Sequence, residues 1–392
     1  MLRTRAAWIV GCLLVWADRG ADLQVCAGPP GPALSVTDSA TSEYEEADVD
    51  IGRRTGVLPH RIGAAALLFF YPAPASAMTC ASCHKTEALS QPSTSMGHAL
   101  ELVEDCSILR EHPRLTFQYG RYSYTIARQG GRSIYSVTDG TNTISVPIGW
   151  AFGLGAAGQT YVFEREGIMY ESRVSFYKAI DGLDLTFGAV GSMPKDLAQA
   201  AGREMTHEDV TACFACHSTG AVRGNTFHPE DLKTGVRCDN CHALAPRHLD
   251  AVKAGDVKGA ALPHLADMTA EETNEFCGRC HRTWADIAAH GPHNIANVRF
   301  QPYRLTNSKC YDADDQRIRC TACHNPHEEF LVGAANYDAK CQACHGVSQK
   351  SCKVAKQDCT NCHMPKIELP GAHRRFTDHQ IRIVRAGERY PE

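Results

Sequence analysis

The chain has 392 residues, 43% of them hydrophobic, with 40 Lys+Arg against 44 Asp+Glu and a formal net charge of −4. The apolar content is that of an ordinary globular protein, and a small net charge without a basic tract argues against nucleic acid as a partner. The unusual feature is a content of 19 cysteines and 19 histidines.

Residues 1–77 read as a leader. Residues 62–71 (IGAAALLFFY) form a short apolar run behind Arg53, Arg54, His60 and Arg61, and Ala75-Ser76-Ala77 has the form of an A-x-A cleavage site. The pattern is that of a secretory signal at about 53–77, too short to span a membrane. A second apolar run, residues 6–17, lies upstream and is followed by an acidic, Pro/Gly-rich stretch, 28–50. Tandem signals are abnormal, so translation is expected to begin near Val57; the alternative is an unusually long leader. The expected location is periplasmic or extracellular by the general secretory route, with a mature amino terminus near Met78 and with Cys12 and Cys26 removed. No segment after Ala77 is apolar enough to form a transmembrane helix.

The next segment, 78–111, opens with Cys80-x-x-Cys83-His84, a pattern expected roughly 0.05 times by chance at this composition and length. It occurs seven times, the others being Cys213-Cys216-His217, Cys238-Cys241-His242, Cys277-Cys280-His281, Cys320-Cys323-His324, Cys341-Cys344-His345 and Cys359-Cys362-His363. Two thiols three positions apart can add to the two vinyl groups of one haem, and the adjacent histidine then falls under the iron as proximal ligand. Zinc ribbons and disulfide frameworks also use Cys-x-x-Cys, but neither places a histidine after every second cysteine. The expectation is seven covalently attached haem c groups. Of the remaining cysteines, Cys310 and Cys352 are candidates for a disulfide, and Cys106 for a free thiol or an intermolecular link.

Residues 112–189 carry no such motif and read as β-structure. Tyr122, Tyr124 and Ile126 alternate, and turn pairs stand at Gly130-Gly131, Asp139-Gly140, Glu166-Gly167 and Asp181-Gly182, with TYVFERE (160–166) and SRVSFY (172–177) between them. The glycine-rich GLGAAGQ (153–159) lies between strands and reads as a loop, not a nucleotide fingerprint. An antiparallel meander inserted between the first two motifs is expected.

Residues 190–392 hold the other six motifs in what reads as a region of short helices. Thr269-Ala270-Glu271-Glu272 is a capping box ahead of Cys277, and residues 206–209 resemble a second start ahead of Cys213. The fold class expected is therefore a multihaem cytochrome c, mostly short α-helices and irregular chain packed around haems, with the β segment as an insert.

Eleven further histidines follow Met78, enough for bis-histidine ligation of every iron. His98, His248, His327, His373 and His379 are the favoured distal ligands, with Met96 an alternative to His98. His327 cannot serve the haem of its own motif. The Cα atoms of two axial ligands stand on the order of 12 Å apart, whereas three residues span about 4.5 Å of helix and at most about 10–11 Å when extended. As a ligand it must face a different haem.

The CTNCHMPK and HRRFTDHQIR segments (359–366 and 373–382), CTACHNPH (320–327), GVRCDNCH with its following RH (235–248), and RFQPYRL (299–305) resemble bacterial multihaem cytochromes. Their relatives are the tetrahaem cytochromes of nitrification and the pentahaem nitrite reductases. The resemblance implies closely packed, histidine-ligated haem pairs. The nitrite-reducing members carry a Cys-x-x-Cys-Lys motif that is absent here, so ammonia-forming nitrite reduction is not implied. Electron transfer through the haem chain is expected, from a quinol oxidase or another cytochrome to a soluble or extracellular acceptor. An oxidoreductase with one open haem, acting on a nitrogen or sulfur oxide, is the alternative. A subunit of a larger cytochrome assembly is a third reading.

Overall fold

The computed structural model describes residues 79–391, apart from 244, 263–264, 316 and 347–351. The leader and His264, one of the eleven further histidines, lie outside the described residues. Among the described residues no helix is long and apolar enough to cross a membrane.

A nine-stranded antiparallel sheet dominates the amino-terminal half. Its strands are β1 (Leu100–Leu102), β2 (Arg114–Tyr119), β3 (Tyr122–Gln129), β4 (Arg132–Thr138), β5 (Thr143–Phe152), β6 (Gln159–Arg165), β7 (Ile168–Tyr177), β8 (Gly182–Leu185) and β9 (Gly202–Glu204). β2 through β8 pair in sequence order, β1 adds to β5, and β9 adds to β7. The sheet curls until β2 and β8 approach one another, leaving it nearly closed.

Alternation drives this. In β3, Tyr122, Tyr124 and Ile126 are buried while the residues between them are exposed or half-buried, as a period of two requires. They meet Tyr135, Val137, Tyr161, Phe163, Val174 and Phe176 in the largest apolar cluster. The Phe163 ring stacks on Tyr170 at 5.4 Å and lies 5.6 Å from Tyr135. Of the hairpin turns, Glu166-Gly167 is the most demanding: both residues have positive φ, 56° and 78°, the twist a two-residue hairpin needs.

This architecture corrects the expected fold class. The molecule is not mostly short helices and irregular chain; a large sheet organises it, and strands β1 and β9 join that sheet from beyond residues 112–189. The expectation weighted the chain by its motifs, whereas burial weights it by the continuous aromatic and β-branched face that seven consecutive strands share.

Beyond the sheet, short helices carry the motifs. Two begin with capping boxes: Thr206 and Asp209 exchange bonds of 3.0 and 3.1 Å ahead of His207–His217, and Thr269 and Glu272 do so ahead of Ala270–His281. The tail closes with a hairpin, Lys366–Leu369 against Arg374–Thr377.

Phe163→Ala should lower stability by about 3–5 kcal/mol, the range for emptying a buried aromatic site. Urea unfolding followed by tyrosine fluorescence measures it, and a change below about 1 kcal/mol would contradict the sheet as the main core.

Candidate functional site

Short helical turns carry the motifs. In Cys80–Ser82, Cys238–Cys241 and Cys320–Cys323 a single helical turn holds the cysteines, placing residues three apart side by side. The following histidine closes the turn: His84, His242 and His324 donate their backbone N–H to the carbonyls of Cys80, Cys238 and Cys320 at 2.8, 2.8 and 2.9 Å. Motifs 213–217, 277–281, 341–345 and 359–363 end the helices His207–His217, Ala270–His281, Asp338–His345 and Cys359–His363.

Three motif histidines face a second imidazole drawn from elsewhere in the chain. His84 faces His248 at 6.2 Å between ring centres, with the planes at 45°. His242 faces His327 at 6.2 Å and 8°. His324 faces His379 at 6.3 Å and 38°. Two imidazoles bound on opposite sides of one metal, with metal–nitrogen bonds of about 2 Å, stand about 6 Å apart from ring centre to ring centre. The residues present therefore fit a metal centre between each pair. His327 stands opposite His242, of a different motif, as the reach of the chain demands.

Several of these rings are held by carbonyls. The Nδ1 atoms of His217, His363 and His379 bond the backbone oxygens of Ala99, Arg382 and Thr377 at 2.9, 2.8 and 3.0 Å, and His248 bonds Ala260 in the same way. A carbonyl accepts only, so Nδ1 carries the proton and Nε2 presents its lone pair, the usual orientation of a metal-bound histidine. Burial favours the neutral form of five of these histidines. It pushes His379 down to about 4, with His324 nearby adding to the effect, and it lowers His217, His281, His324 and His242 as well. A protonated imidazole could not ligate a metal, so this electrostatic setting suits the role.

Neighbouring motifs adjoin. The Cys80 and Cys238 thiols lie close together, and so do Cys216 and Cys280, Cys277 and Cys320, and Cys341 and Cys359. Cys216 Sγ also reaches the Arg279 carbonyl at 3.5 Å, and Cys320 Sγ reaches Asn274 Oδ1 at 3.3 Å. Cys323 lies near Cys341, and Cys241 near Cys277. Motif 277–281 thus borders motifs 213–217, 238–242 and 320–324, and the series continues through 341–345 to 359–363.

Other sequence candidates are placed differently. His98 Nδ1 lies 3.1 Å from Glu101 Oε1. His373 Nε2 lies 2.7 Å from Asp184 Oδ2, with its ring against Tyr177. Carboxylates, not imidazoles, face these two. His281 is packed with Gln301, and His345 is exposed, as are the second thiols Cys83, Cys280, Cys323, Cys344 and Cys362. Cys310 and Cys352 are exposed, unbonded thiols, so the disulfide considered from sequence is not formed. Cys106 is fully buried and donates to Gln159 Oε1 at 3.2 Å, which rules out an intermolecular link. What sequence reading passed over is Arg304 and Asp378, whose side chains are both fully buried and paired; a buried arginine leaves no mark in composition or spacing.

Residues 187–243 match the family described as cytochrome c554 and c-prime. The matched stretch contains the motifs Cys213-Cys216-His217 and Cys238-Cys241-His242. No curated protein and no solved structure matches the chain. The family match supports a c-type cytochrome with an electron-transfer role and covalently bound haem c.

Burial pushes the Cys106 thiol up to about 11, so it remains protonated well above neutral pH. In the native protein Cys106 should resist iodoacetamide at pH 7 and at pH 9, and label promptly in denaturant; peptide mapping reads both. Native labelling within minutes at pH 9 would contradict its burial.

Proposed function

We propose that this chain is an exported multihaem c-type cytochrome that passes electrons through seven covalently bound, mostly bis-histidine haems. The observation that carries the reading is the set of three imidazole pairs, each joining a motif histidine to a distant histidine at the spacing of one metal centre. Haem c would supply one-electron redox centres there. The cysteines at 80, 83, 213, 216, 238, 241, 277, 280, 320, 323, 341, 344, 359 and 362 would tether them, and the histidines at 84, 217, 242, 281, 324, 345 and 363 would ligate them from the proximal side.

The remaining chemistry belongs to the protein. At the three paired sites an imidazole on either side would leave no position open to substrate, which favours electron transfer over bond-making there. Backbone carbonyls at Ala99, Ala260, Thr377 and Arg382 lock ring orientation, so little rearrangement accompanies a change of charge. Contact between adjoining motifs would keep centre-to-centre distances short. Redox proteins, a quinol oxidase or another cytochrome as donor, are the partners this implies, within a larger cytochrome assembly or alone.

One feature favours a second reading. A cavity of about 140 Å³ is lined by Cys216, His217, Cys280, His281, Arg282 and Arg299. Two guanidinium groups beside a motif histidine suit a small oxyanion, as an oxidoreductase acting on nitrogen or sulfur oxides would need.

Intact-mass spectrometry of exported protein should show the added mass of seven haems and an amino terminus near Met78. His327→Ala should keep that mass and convert one haem to high spin by electron paramagnetic resonance. An unchanged low-spin spectrum would remove His327 from the ligand set. Carbon monoxide separates the two readings: the reduced wild type should bind little, and stoichiometric binding would favour the oxidoreductase.

A further inference from the structure

Arg304 and the tail of the chain form a network that the electron-transfer reading does not use. Its guanidinium has five N–H donors, and the structure gives it five bonds. Nε donates to Asp378 Oδ1 at 2.8 Å, Nη1 to Asn297 Oδ1 at 3.4 Å and to the Pro391 carbonyl at 2.7 Å, and Nη2 to Asp378 Oδ2 at 3.0 Å and Gln380 Oε1 at 2.7 Å. The Tyr390 ring lies 4.5 Å from the guanidinium carbon. Its hydroxyl donates to Asn297 Oδ1 at 2.5 Å.

The Asp378 carboxylate is equally full. Besides Arg304 it accepts from Arg382 Nη1 at 2.6 Å and from the Gln380 backbone N–H at 3.0 Å. Burying both charges is costly, and apolar residues of similar volume would often hold a fold as well. What an apolar pair could not do is fix the surrounding backbone in direction as well as position.

That backbone carries ligands. Asp378 and Gln380 flank His379, whose ring faces His324. Ser308 Oγ donates to the His379 carbonyl at 3.2 Å, and accepts from the Ile381 N–H at 2.8 Å. Arg382, tied to Asp378, receives Nδ1 of His363 on its carbonyl at 2.8 Å, and its own N–H donates to the His363 carbonyl at 3.1 Å. One buried ion pair thus sits between a histidine of the 320–324 site and the proximal histidine of the 359–363 motif.

We propose that Arg304 is a positioning residue which, through Asp378, aims His379 at the 320–324 centre and His363 at its own, so that one latch sets ligand geometry at two adjacent metals. The inference rests on the reading that these imidazoles ligate haem iron.

The experiment uses the full exported holoprotein and four variants: His379→Ala, Arg304→Lys, Asp378→Asn and Phe163→Ala. Each is examined for covalent haem mass, ferric spin state, carbon monoxide binding after reduction, and urea stability. His379→Ala should keep wild-type haem mass, turn one haem high spin and bind carbon monoxide. Arg304→Lys and Asp378→Asn should also keep that mass, develop the same high-spin signal in part of the population, and bind carbon monoxide at a fraction of one equivalent. Phe163→Ala, destabilised through the sheet, should leave the spin state unchanged, which separates positioning from general loss of stability. If His379→Ala turns high spin while Arg304→Lys and Asp378→Asn remain low spin, the latch is refuted and the ligand reading stands. If His379→Ala itself remains low spin, the ligand reading at that site fails. Arg304→Lys keeps the buried charge, and its result decides the matter where Asp378→Asn does not fold.

Discussion

The short reach of a histidine side chain shapes the carboxy-terminal half of this protein. In the proposed reading, a motif histidine held beside its cysteines would need a facing imidazole from further off than the few positions next to it. A second imidazole has to arrive from a remote segment, and each facing pair is therefore a long-range closure of the chain. His84 meets His248, His242 meets His327, and His324 meets His379. The α-helices in this region are short, from the four residues of Cys238–Cys241 to the twelve of Ala270–His281.

The two halves are stabilised by different means. The sheet is held by its own aromatic core, with Tyr124, Tyr135, Tyr161 and Phe163 all buried. The motif-bearing half has small apolar clusters, such as that of Ala296, Leu369 and Ala372, and relies on directed polar contacts: capping boxes, carbonyl-bound imidazoles and the Arg304–Asp378 pair. Between them lies a second cluster in which Trp150, Phe152 and Phe214 pack edge to face, setting the helix that carries Cys213 and Cys216 against β5.

Legibility in the sequence followed the range of the interaction. Turns and caps were readable because their determinants sit within four residues, as with Glu166-Gly167 and Thr269–Glu272. The strands were readable from alternation at Tyr122, Tyr124 and Ile126. Their joint weight in the fold was not, because curling and the recruitment of β1 and β9 depend on pairings across tens of residues. Among the histidines, CHNPH and FTDH drew notice by local pattern, and His327 and His379 do face motif imidazoles. His98 and His373 drew the same notice, yet Glu101 and Asp184 take up a ring nitrogen of each, partners that spacing alone does not reveal. Arg304 was invisible for a related reason: an arginine is ordinarily a surface residue, and only the tertiary fold supplies five acceptors for it.

The pairing of β1 with β5 and of β9 with β7 has a consequence in polymer terms. The carbonyl of Ala99, just before β1, accepts from His217, 118 positions later in the chain. Joining the ends of a flexible segment of roughly 100 residues costs about 4 kcal/mol in configurational entropy. Here the sheet absorbs that cost in forming its own core, and it delivers residues 99 and 205 to the same neighbourhood. Once the strands have paired, the first motif and the second are joined by an effective tether of about two dozen residues instead of more than a hundred. The sheet thus acts as a topological shortcut, turning a slow, distant encounter between motif segments into a local one.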